Sequence, residues 1–216
     1  MIRPSQGSSA NRDLTGTLTQ ARPESNTIAA WWTRQRPGAT VAGMTRDADR
    51  SQLEATLVGR GEHELFVCDP ALADTAAFCA AYGFALEDSA NTIIVAGKSD
   101  PPRYAACIVL ATHRLDVNRT IRDRLGTRRA SFASAEETLA LTGQELGGVT
   151  AFGLPDGLPI WVDAAVMDRP RIVLGGGSRR FKVLAPPSIL LSLSGVAVVE
   201  GLARPAAPRP DATPVG

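Results

Sequence analysis

The sequence is poor in several residue types on which other protein classes depend. Its 216 residues include three cysteines and two histidines, and Lys98 and Lys182 are the only lysines among 23 basic residues. The cysteines are widely spaced and form no C-x-x-C pair, which argues against a disulfide framework and against a structural zinc site. Because no cluster of His, Asp, Glu or Cys is visible either, we predict neither a metal site nor a cofactor.

A charge excess and a long apolar run are also missing. The formal net charge is +1, so no global field draws the chain onto nucleic acid or an anionic membrane, and any nucleic-acid contact should be local. The longest apolar run, from Ile189 to Val199, contains two serines and a glycine and is too short to cross a bilayer. Residues 1–30 do not resemble a signal peptide. We therefore expect a cytoplasmic protein with no membrane partner.

The composition changes twice along the chain and suggests three segments. Residues 1–50 are rich in Gly, Ser, Thr, Pro and Arg and show no sustained period, which is typical of a disordered N-terminal extension. Residues 203–216 alternate proline with alanine and polar residues, as flexible tails do. The folded domain is predicted over residues 51–202.

Helix caps and turn signals alternate with strand-like runs inside this domain. Helices are predicted from Ser51 to Gly59, Asp74 to Gly83, Asp116 to Gly126 and Ser134 to Gly143, and from Pro186 onward. Strands are predicted near 64–68, 92–96, 104–111, 158–162, 171–174 and 181–184. The second and third of these strands flank a turn and form an antiparallel hairpin. Hairpins mixed with single helices favour an α+β fold, in which helices surround a mixed, largely antiparallel sheet.

Two glycine-rich segments are the strongest chemical signals. Gly147-Gly148-Val149-Thr150-Ala151-Phe152-Gly153 has three glycines in seven residues. Such a backbone approaches a ligand closely and can direct several N–H groups at an oxyanion or phosphate; a flexible connector is the simpler alternative. Gly175-Gly176-Gly177 precedes Arg179-Arg180 and equally fits a hairpin turn with solvated charges. It is not a Walker loop, because no G-K-[ST] follows.

The order of motifs along residues 52–195 is similar to a known family. The motifs are Asn91-Thr92-Ile93-Ile94-Val95, Ala106 to Thr112, Ser134-Ala135-Glu136-Glu137, Leu141-Thr142-Gly143, the glycine segment 147–153, Ile160-Trp161-Val162-Asp163 and Gly175-Gly176-Gly177. This pattern resembles the YbaK-like aminoacyl-tRNA deacylases, relatives of the editing domain inserted in bacterial prolyl-tRNA synthetases.

The resemblance implies hydrolysis of the ester of a mischarged aminoacyl-tRNA, with a small aminoacyl group held near the glycine segment. The tRNA acceptor end would be the partner, and a synthetase is a further candidate partner. Water and ester would be oriented by Gly147, Gly148, Thr150 and Ala151. The adenosine end would lie on Asn91 and Thr92, and the pocket wall would include Asp163, Gly175, Gly176 and Gly177. Asp163 fits the N-cap of the following turn equally well.

Two positions depart from the family pattern. The family usually has a lysine where this chain has Asn91, and a proline in the glycine loop where it has Ala151. Asparagine donates a hydrogen bond but carries no charge, so anion binding there should weaken. Lys98 or Arg179 is the hypothetical substitute. The alternatives are therefore a non-catalytic module that binds tRNA ends or a small ligand, and a hydrolase for another small acylated molecule.

Overall fold

The computed structural model describes residues 46–207. Most of the predicted N-terminal extension and of the predicted tail lies outside the described residues. The first helix, α1, spans Arg46–Leu57 and begins five residues before the predicted cap at Ser51, so it reaches into the segment predicted to be disordered. Within residues 46–207, no helix is long and apolar enough to cross a membrane.

A five-stranded sheet forms the larger layer. The predicted hairpin is confirmed as β2 (Ala90–Gly97) and β3 (Arg103–Leu110), which pair antiparallel along their whole length. Strand β5 (Ala130–Phe132) adds antiparallel to β2. On the other side, β6 (Ile160–Asp163) and β9 (Val196–Val199) add in parallel, giving the order β5-β2-β3-β6-β9.

Two smaller antiparallel sheets complete the strands. In one of them, β8 (Phe181–Ala185) lies between β1 (Glu64–Val67) and β7 (Ile172–Gly175). In the other, β4 (His113–Leu115) pairs with β10 (Ala203–Pro205). Strand β10 falls in the segment predicted to be a flexible tail, so ordered structure continues past the predicted boundary at residue 202. The predicted mixed, largely antiparallel architecture is confirmed.

Short helices cover these sheets. The α-helices after α1 are α2 (Thr75–Tyr82), α3 (Arg122–Leu125), α4 (Ala135–Thr142) and α5 (Ala164–Met167), and single 3₁₀ turns span Pro70–Leu72, Leu86–Asp88 and Pro187–Ser192. The predicted capping box is confirmed: the Ser134 hydroxyl accepts from the Glu137 amide, and the Glu137 carboxylate accepts from the Ser134 amide. The predicted helix from Asp116 is wrong in kind, because a π-helical turn over Val117–Ile121 precedes α3. The Asp116 carboxylate accepts from Arg204 instead of capping a helix.

The alternation of side chains along β8 determines where a charge is buried. Phe181, Val183 and Ala185 point into the main core between the two larger sheets. The residues between them, Lys182 and Leu184, therefore lie on the outer face of the small sheet. Helix α2 covers that face, and a second cluster of buried residues that includes Leu184 fills the space beneath it. A strand of apolar composition thus places one lysine inside the protein.

Candidate active site

The glycine segment 147–153, here called the glycine loop, lies between two cavities of similar size. The first, the lysine cavity, has a volume of about 240 Å³. It is lined by residues from α2, the start of β2, the glycine loop, the end of β7 and β8. They are Asp74, Thr75, Asn91, Thr92, Ile93, Leu146, Gly147, Val149, Gly175 and Lys182.

The second, the glutamine cavity, has a volume of about 280 Å³. Helix α1, the end of α4 and the turn after β7 form its walls. Its polar lining includes Asp49, Gln52, Gln144, Glu145, Thr150 and Ser178, and its glycines include Gly176 and Gly177. Of the residues predicted from sequence as one site, Asn91, Thr92, Gly147 and Gly175 line the first cavity, whereas Thr150, Gly176 and Gly177 line the second.

Backbone-to-backbone packing explains why glycines occur in both segments. A Cβ atom on Gly175 would lie 2.3 Å from the carbonyl oxygen of Val149, and one on Gly148 would lie 2.3 Å from the carbonyl carbon of Ser178. The Gly177 amide donates to the Gly148 carbonyl at 2.7 Å. The two glycine-rich segments are thus in direct contact, as a shared pocket wall requires, and a side chain on either Gly148 or Gly175 would separate them.

Among the predicted residues of the glycine loop, Gly148 and Thr150 have amides that are already hydrogen-bonded, whereas no acceptor is found for the Gly147 amide within residues 46–207. The Gly148 amide donates to the Glu145 carbonyl at 2.9 Å, and the Thr150 amide donates to the Gln144 side chain at 2.7 Å. Neither amide is available to a ligand. Over residues 46–207, no acceptor is found for the amides of Gly147 and Val149, and both residues line the lysine cavity.

Lys182 brings a positive charge to the floor of the lysine cavity. Its side chain is almost fully buried at 6% exposure. The ammonium nitrogen donates to the Ala73 carbonyl at 2.7 Å and lies 5.2 Å from the centroid of the Phe78 ring. In the sheet, Lys182 is paired with Phe66 on one side and with Gly175 on the other. Burial lowers the pKa of Lys182 below its ordinary value.

Two polar residues at the start of β2, Asn91 and Thr92, also line this cavity. Their side chains point to opposite faces of the strand, and that of Thr92 lies on the face of Ala90 and Ile94, towards the main core. Asn91 accepts a hydrogen bond from the Thr75 hydroxyl at 2.7 Å through its Oδ1 atom, which leaves its amide hydrogens to donate. Thr92 is 7% exposed, and its hydroxyl oxygen has no hydrogen-bond partner. The predicted pairing of these two residues with the glycine loop is therefore geometrically present.

Sequence and structure comparisons place this geometry in a family. The model of the aminoacyl-tRNA editing domain matches residues 69–191, more than half of the chain. The chain belongs to the aminoacyl-tRNA editing domain family. Searches of the curated proteins give no match.

The fold is shared with solved structures of low identity. A protein provisionally described as a trans-editing enzyme for prolyl-tRNA synthetase superposes with a TM-score of 0.60 at 24% identity, over 74% of this chain and 98% of its own. The hypothetical protein APE2540 superposes with a TM-score of 0.61 at 22% identity, over 72% of this chain and 98% of its own. The resemblance to the YbaK-like family inferred from the motifs is confirmed.

The two predicted substitute cations take different positions in this editing domain. Arg179 lies at the rim of the lysine cavity, where it donates to the Pro70 carbonyl at 3.0 Å and to Asp74 at 3.3 Å, with its guanidinium against Gly147. Lys98 follows the opposite end of β2, about 20 Å from Asn91, and lines a separate cavity with the arginines after α3. The Lys98 hypothesis is therefore wrong.

Two further predicted residues of the editing domain lie away from both cavities. Asp163 caps α5, because its carboxylate accepts from the amide of Ala165 at 2.9 Å and from that of Ala203 at 2.5 Å. Both oxygens are used, and the capping alternative is the correct one. Ala151 is buried in the main core and lines neither cavity, so it does not orient a ligand directly.

Sequence reasoning missed Lys182, the buried cation that lines the same cavity as Gly147 and Val149. The two predicted substitutes, Lys98 and Arg179, follow β2 and the second glycine cluster, whereas Lys182 lies within β8. The available signal was a single lysine between Phe181 and Val183, in a strand that is otherwise apolar. Burying an unpaired charge costs free energy, so a lysine at such a position indicates a functional or structural role for the charge.

Proposed function

We propose that this editing domain hydrolyses the ester bond of a mischarged aminoacyl-tRNA and that the aminoacyl group lies in the lysine cavity. The observation that carries the proposal is the enclosure of one cavity by the free loop amides, the start of β2 and a buried ammonium group. Each wall supplies a different function that ester hydrolysis needs. The chemistry is the attack of water on the carbonyl carbon, followed by cleavage of the bond to the ribose oxygen.

The loop amides support the first part of this chemistry. As water attacks, the carbonyl oxygen gains negative charge, and preorganised donors stabilise it more than bulk water does. Gly147 and Val149 line the cavity, and no acceptor for their amides is found in the part of the chain that the structure describes. They replace Gly148 and Thr150 as the proposed donors.

The size of the cavity supports a small aminoacyl group. Its volume of about 240 Å³ is below the roughly 300–1,000 Å³ of sites that take drug-sized ligands. Selection by size is the solution that editing sites use where binding alone discriminates too weakly between similar side chains. We propose that the rest of the tRNA contacts the domain only near its acceptor end, since a net charge of +1 provides no broad attraction for phosphates.

A panel of mischarged tRNAs tests this function. Full-length protein is mixed with alanyl-, seryl- and phenylalanyl-tRNA, and loss of the aminoacyl group is followed against the spontaneous rate. We expect acceleration for at least one small aminoacyl group and none for phenylalanyl. Spontaneous rates for every tRNA in the panel would contradict the deacylase proposal.

Non-catalytic binding of the tRNA end is the second candidate, and one observation favours it. The amides of Gly148 and Thr150, two of the predicted oxyanion donors, are already hydrogen-bonded within the protein. The same panel separates the two functions, because a binding module slows spontaneous deacylation whereas an enzyme accelerates it.

A further inference from the structure

Basic side chains gather beyond the end of β2 that lies away from Asn91. They surround an open cavity of about 360 Å³, here called the basic cavity, which is formed by the residue after β2, the π-helical turn, the start of α3 and the start of β5. Its lining residues are Lys98, Asn118, Arg122, Arg128, Arg129, Ala130 and Ser131. In contrast to the lysine and glutamine cavities, no acidic residue is among the described residues that line it.

The sheet places two of these cations directly opposite each other. The Lys98 amide donates to the Arg129 carbonyl at 2.8 Å, which continues the pairing of β2 with β5 by one residue beyond Gly97 and Ala130. Side chains at opposite positions of an antiparallel pair have Cβ atoms about 5 Å apart, and like charges there destabilise the sheet. The strand pairing therefore holds two positive charges together at a cost that a bound anion would lower.

Few counter-charges reach the basic cavity from the protein itself. Arg122 donates to Asp123 at 2.8 Å, so its charge is paired. Within residues 46–207, no side-chain hydrogen bond or ion pair is found for the other three cations, Lys98, Arg128 and Arg129. The pKa of Glu137 is lowered by the hydrogen bond from the Ser134 amide and, to a smaller extent, by Lys98. The basic cavity therefore has positive charge available for a ligand.

The donors of the basic cavity suit phosphate groups. Arginine presents five N–H donors in a planar fork that matches phosphate oxygens, and lysine adds a compact charge. Asn118 and Ser131 bring neutral donors to the same cavity. A nucleic-acid strand carries one phosphate about every 3.4 Å in a duplex, so that neighbouring phosphates can meet several of these cations at once.

An exposed aromatic ring between the basic cavity and the lysine cavity favours nucleic acid over a free anion. Phe132 is 57% exposed and is paired with Val95 in the sheet. From the rise of a strand, Val95 lies about 13 Å from Asn91 and about 10 Å from Lys98. Alternation places the side chains of Asn91 and Val95 on one face of β2, and Phe132, opposite Val95, shares that face. Nucleic-acid bases stack on aromatic side chains of this kind beside basic grooves.

We propose that the basic cavity binds backbone phosphates of the same tRNA whose aminoacyl end lies in the lysine cavity, and that a base between these two contacts stacks on Phe132. This inference rests on the proposed function, because its ligand is that substrate. The distance of about 20 Å between Asn91 and Lys98 corresponds to about six nucleotides of a stacked strand. The bound phosphates thus belong to the acceptor arm. A net charge of +1 is compatible with such a local site.

The two-lysine composition allows the basic cavity to be observed directly. Protein labelled with ¹³C at the lysine ε-carbons gives one resonance for Lys98, in the basic cavity, and one for Lys182, in the lysine cavity. Two probes are titrated into the full-length protein: inorganic phosphate, and an unacylated RNA hairpin made of a tRNA acceptor stem with its single-stranded 3′ end. Phosphate contacts carry no base sequence, so any acceptor stem serves. We expect the hairpin to shift the Lys98 resonance to saturation at concentrations at least about tenfold below those of inorganic phosphate, since several contacts act together.

Salt dependence connects this resonance to phosphate contacts. The double variant Arg128→Gln/Arg129→Gln should weaken hairpin binding by about tenfold, as expected for the loss of two exposed charge contacts. It should also reduce the slope of log Kd against log salt concentration by about one to two, because each phosphate contact contributes about 0.7–0.9 to that slope. Arg114→Gln is the matched control and should change neither quantity. Arg114 is an exposed arginine of β4, outside the five-stranded sheet, and has no ion pair within the described residues.

Phe132→Ala tests the stacking contact separately. We expect hairpin affinity to fall by about tenfold while the salt slope stays the same, because no phosphate contact is lost. Leu191→Ala is the control, since Leu191 is an apolar side chain of similar exposure, 54%, on the 3₁₀ turn after β8. Thermal unfolding of every variant verifies that it is folded. Native affinity in Phe132→Ala would contradict the stacking contact.

The outcomes distinguish this inference from the proposed function. Hairpin binding that depends on Arg128 and Arg129, without deacylation of any tRNA, would support the inference and contradict the deacylase. Deacylation with an unchanged KM in Arg128→Gln/Arg129→Gln would overturn the inference and leave the deacylase standing, whereas a raised KM with an unchanged kcat would support both. The inference is also wrong if inorganic phosphate moves the Lys98 resonance at lower concentrations than the hairpin does, or if the hairpin leaves that resonance in place.

Discussion

The lysine cavity and the glutamine cavity differ in chemistry although they have nearly the same volume and share the glycine loop as a wall. The glutamine cavity is internally satisfied, since the Gln144 side chain accepts from the Thr150 amide and donates to the Phe152 carbonyl. The lysine cavity contains an unpartnered hydroxyl and a charge without an ion pair among the described residues. One set of polar groups stabilises the loop, whereas the other makes few contacts within the described residues, and we propose that it serves a ligand.

This comparison is the reason why we place the proposed site by unused bonding capacity and not by volume. The larger hollow has polar walls and two acidic residues, Asp49 and Glu145, which would repel a carbonyl oxygen that gains negative charge. The smaller one is lined by the buried cation Lys182 and by Gly147 and Val149, whose amides have no acceptor among the residues that the structure describes. Each prediction below alters one cavity or the contact between them.

The largest effect is expected from Gly175→Ala, which would displace the glycine loop, the wall that the two cavities share. Its new Cβ atom would lie 2.3 Å from the Val149 carbonyl, so the loop must move away from β7. A displacement of about 1 Å at a site can cost about 100-fold in rate. We expect deacylation to fall by about that factor, measured as kcat/KM on the preferred aminoacyl-tRNA.

Gly157→Ala is the control for this change. Gly157 has a positive φ of 80°, but a Cβ atom there would meet nothing within 4 Å. Its backbone strain should cost about 1–2 kcal/mol of stability with little loss of rate. Equal losses of rate in the two alanine variants would contradict the packing argument.

Gln144→Leu should lower the stability of the protein, because the Gln144 side chain satisfies two buried backbone groups beside the glutamine cavity. It leaves the buried amide of Thr150 and the carbonyl of Phe152 without their partner. Each buried group that loses its partner costs about 1–3 kcal/mol, so the free energy of unfolding should fall by about 2–4 kcal/mol in a urea titration. Gln52→Leu is the comparison, because Gln52 lines the same cavity but is exposed. If Gln144→Leu were as stable as Gln52→Leu, the view of this cavity as a structural network would be wrong.

Local signals explain which parts of the fold were predicted. The capping box at Ser134, the glycine that ends α2 at Gly83 and the hairpin of β2 and β3 depend on neighbours along the chain. Strands β4, β5, β9 and β10 are three or four residues long and exist through pairing with distant segments. The sequences of β4, β5 and β10 carry no run of β-branched or apolar residues, and β9 was missed because its apolar residues continue a segment predicted to be helical from Pro186 onward.

The site was predicted in part for the same reason. The motifs located Asn91, Thr92, Gly147 and Gly175, and the structure brings all four to one cavity. The burial of Lys182 beside this cavity depends on features that no single segment contains. They are the central place of β8 in the small sheet, the alternation along that strand and the coverage of its outer face by α2.

A smaller effect is expected in the pH dependence of stability, which should differ between a variant of the lysine cavity and a variant of the glutamine cavity. Burial lowers the pKa of Lys182 below the ordinary value of 10.5, so between its lowered pKa and 10.5 the unfolded chain binds more protons than the folded chain. Stability then rises with pH across that window, and below it the cost of burying the charge is present in full. The unfolding free energy of the native chain minus that of Lys182→Met should therefore increase as the pH is raised from 7 towards 10. The groups that face Lys182 are Asp74, Arg179, Cys68 and Cys79.

These facing groups are present in both proteins, so most of their own titration cancels in the difference. Gln144→Leu provides the control on the other cavity and should show a difference that does not depend on pH in this range. A difference for Lys182→Met that falls or stays constant with pH would mean that Lys182 is not a desolvated ammonium.

The smallest expected effect is a change in the reactivity of the cysteine thiols. Lys182 influences Cys68 and Cys79 but not Cys107, so the three thiols should respond differently to its removal. Burial raises the pKa of Cys68, Cys79 and Cys107, and for Cys107 it raises the pKa to about 12. The charge of Lys182 opposes this shift at Cys68 and Cys79 but not at Cys107. Lys182→Met should therefore lower the thiolate fraction of the first two cysteines and slow their alkylation by iodoacetamide a few-fold at pH 8.5. Faster alkylation of all three would indicate a loosened fold, whereas an unchanged rate at Cys68 and Cys79 would show that the ammonium does not act on this face of the sheet.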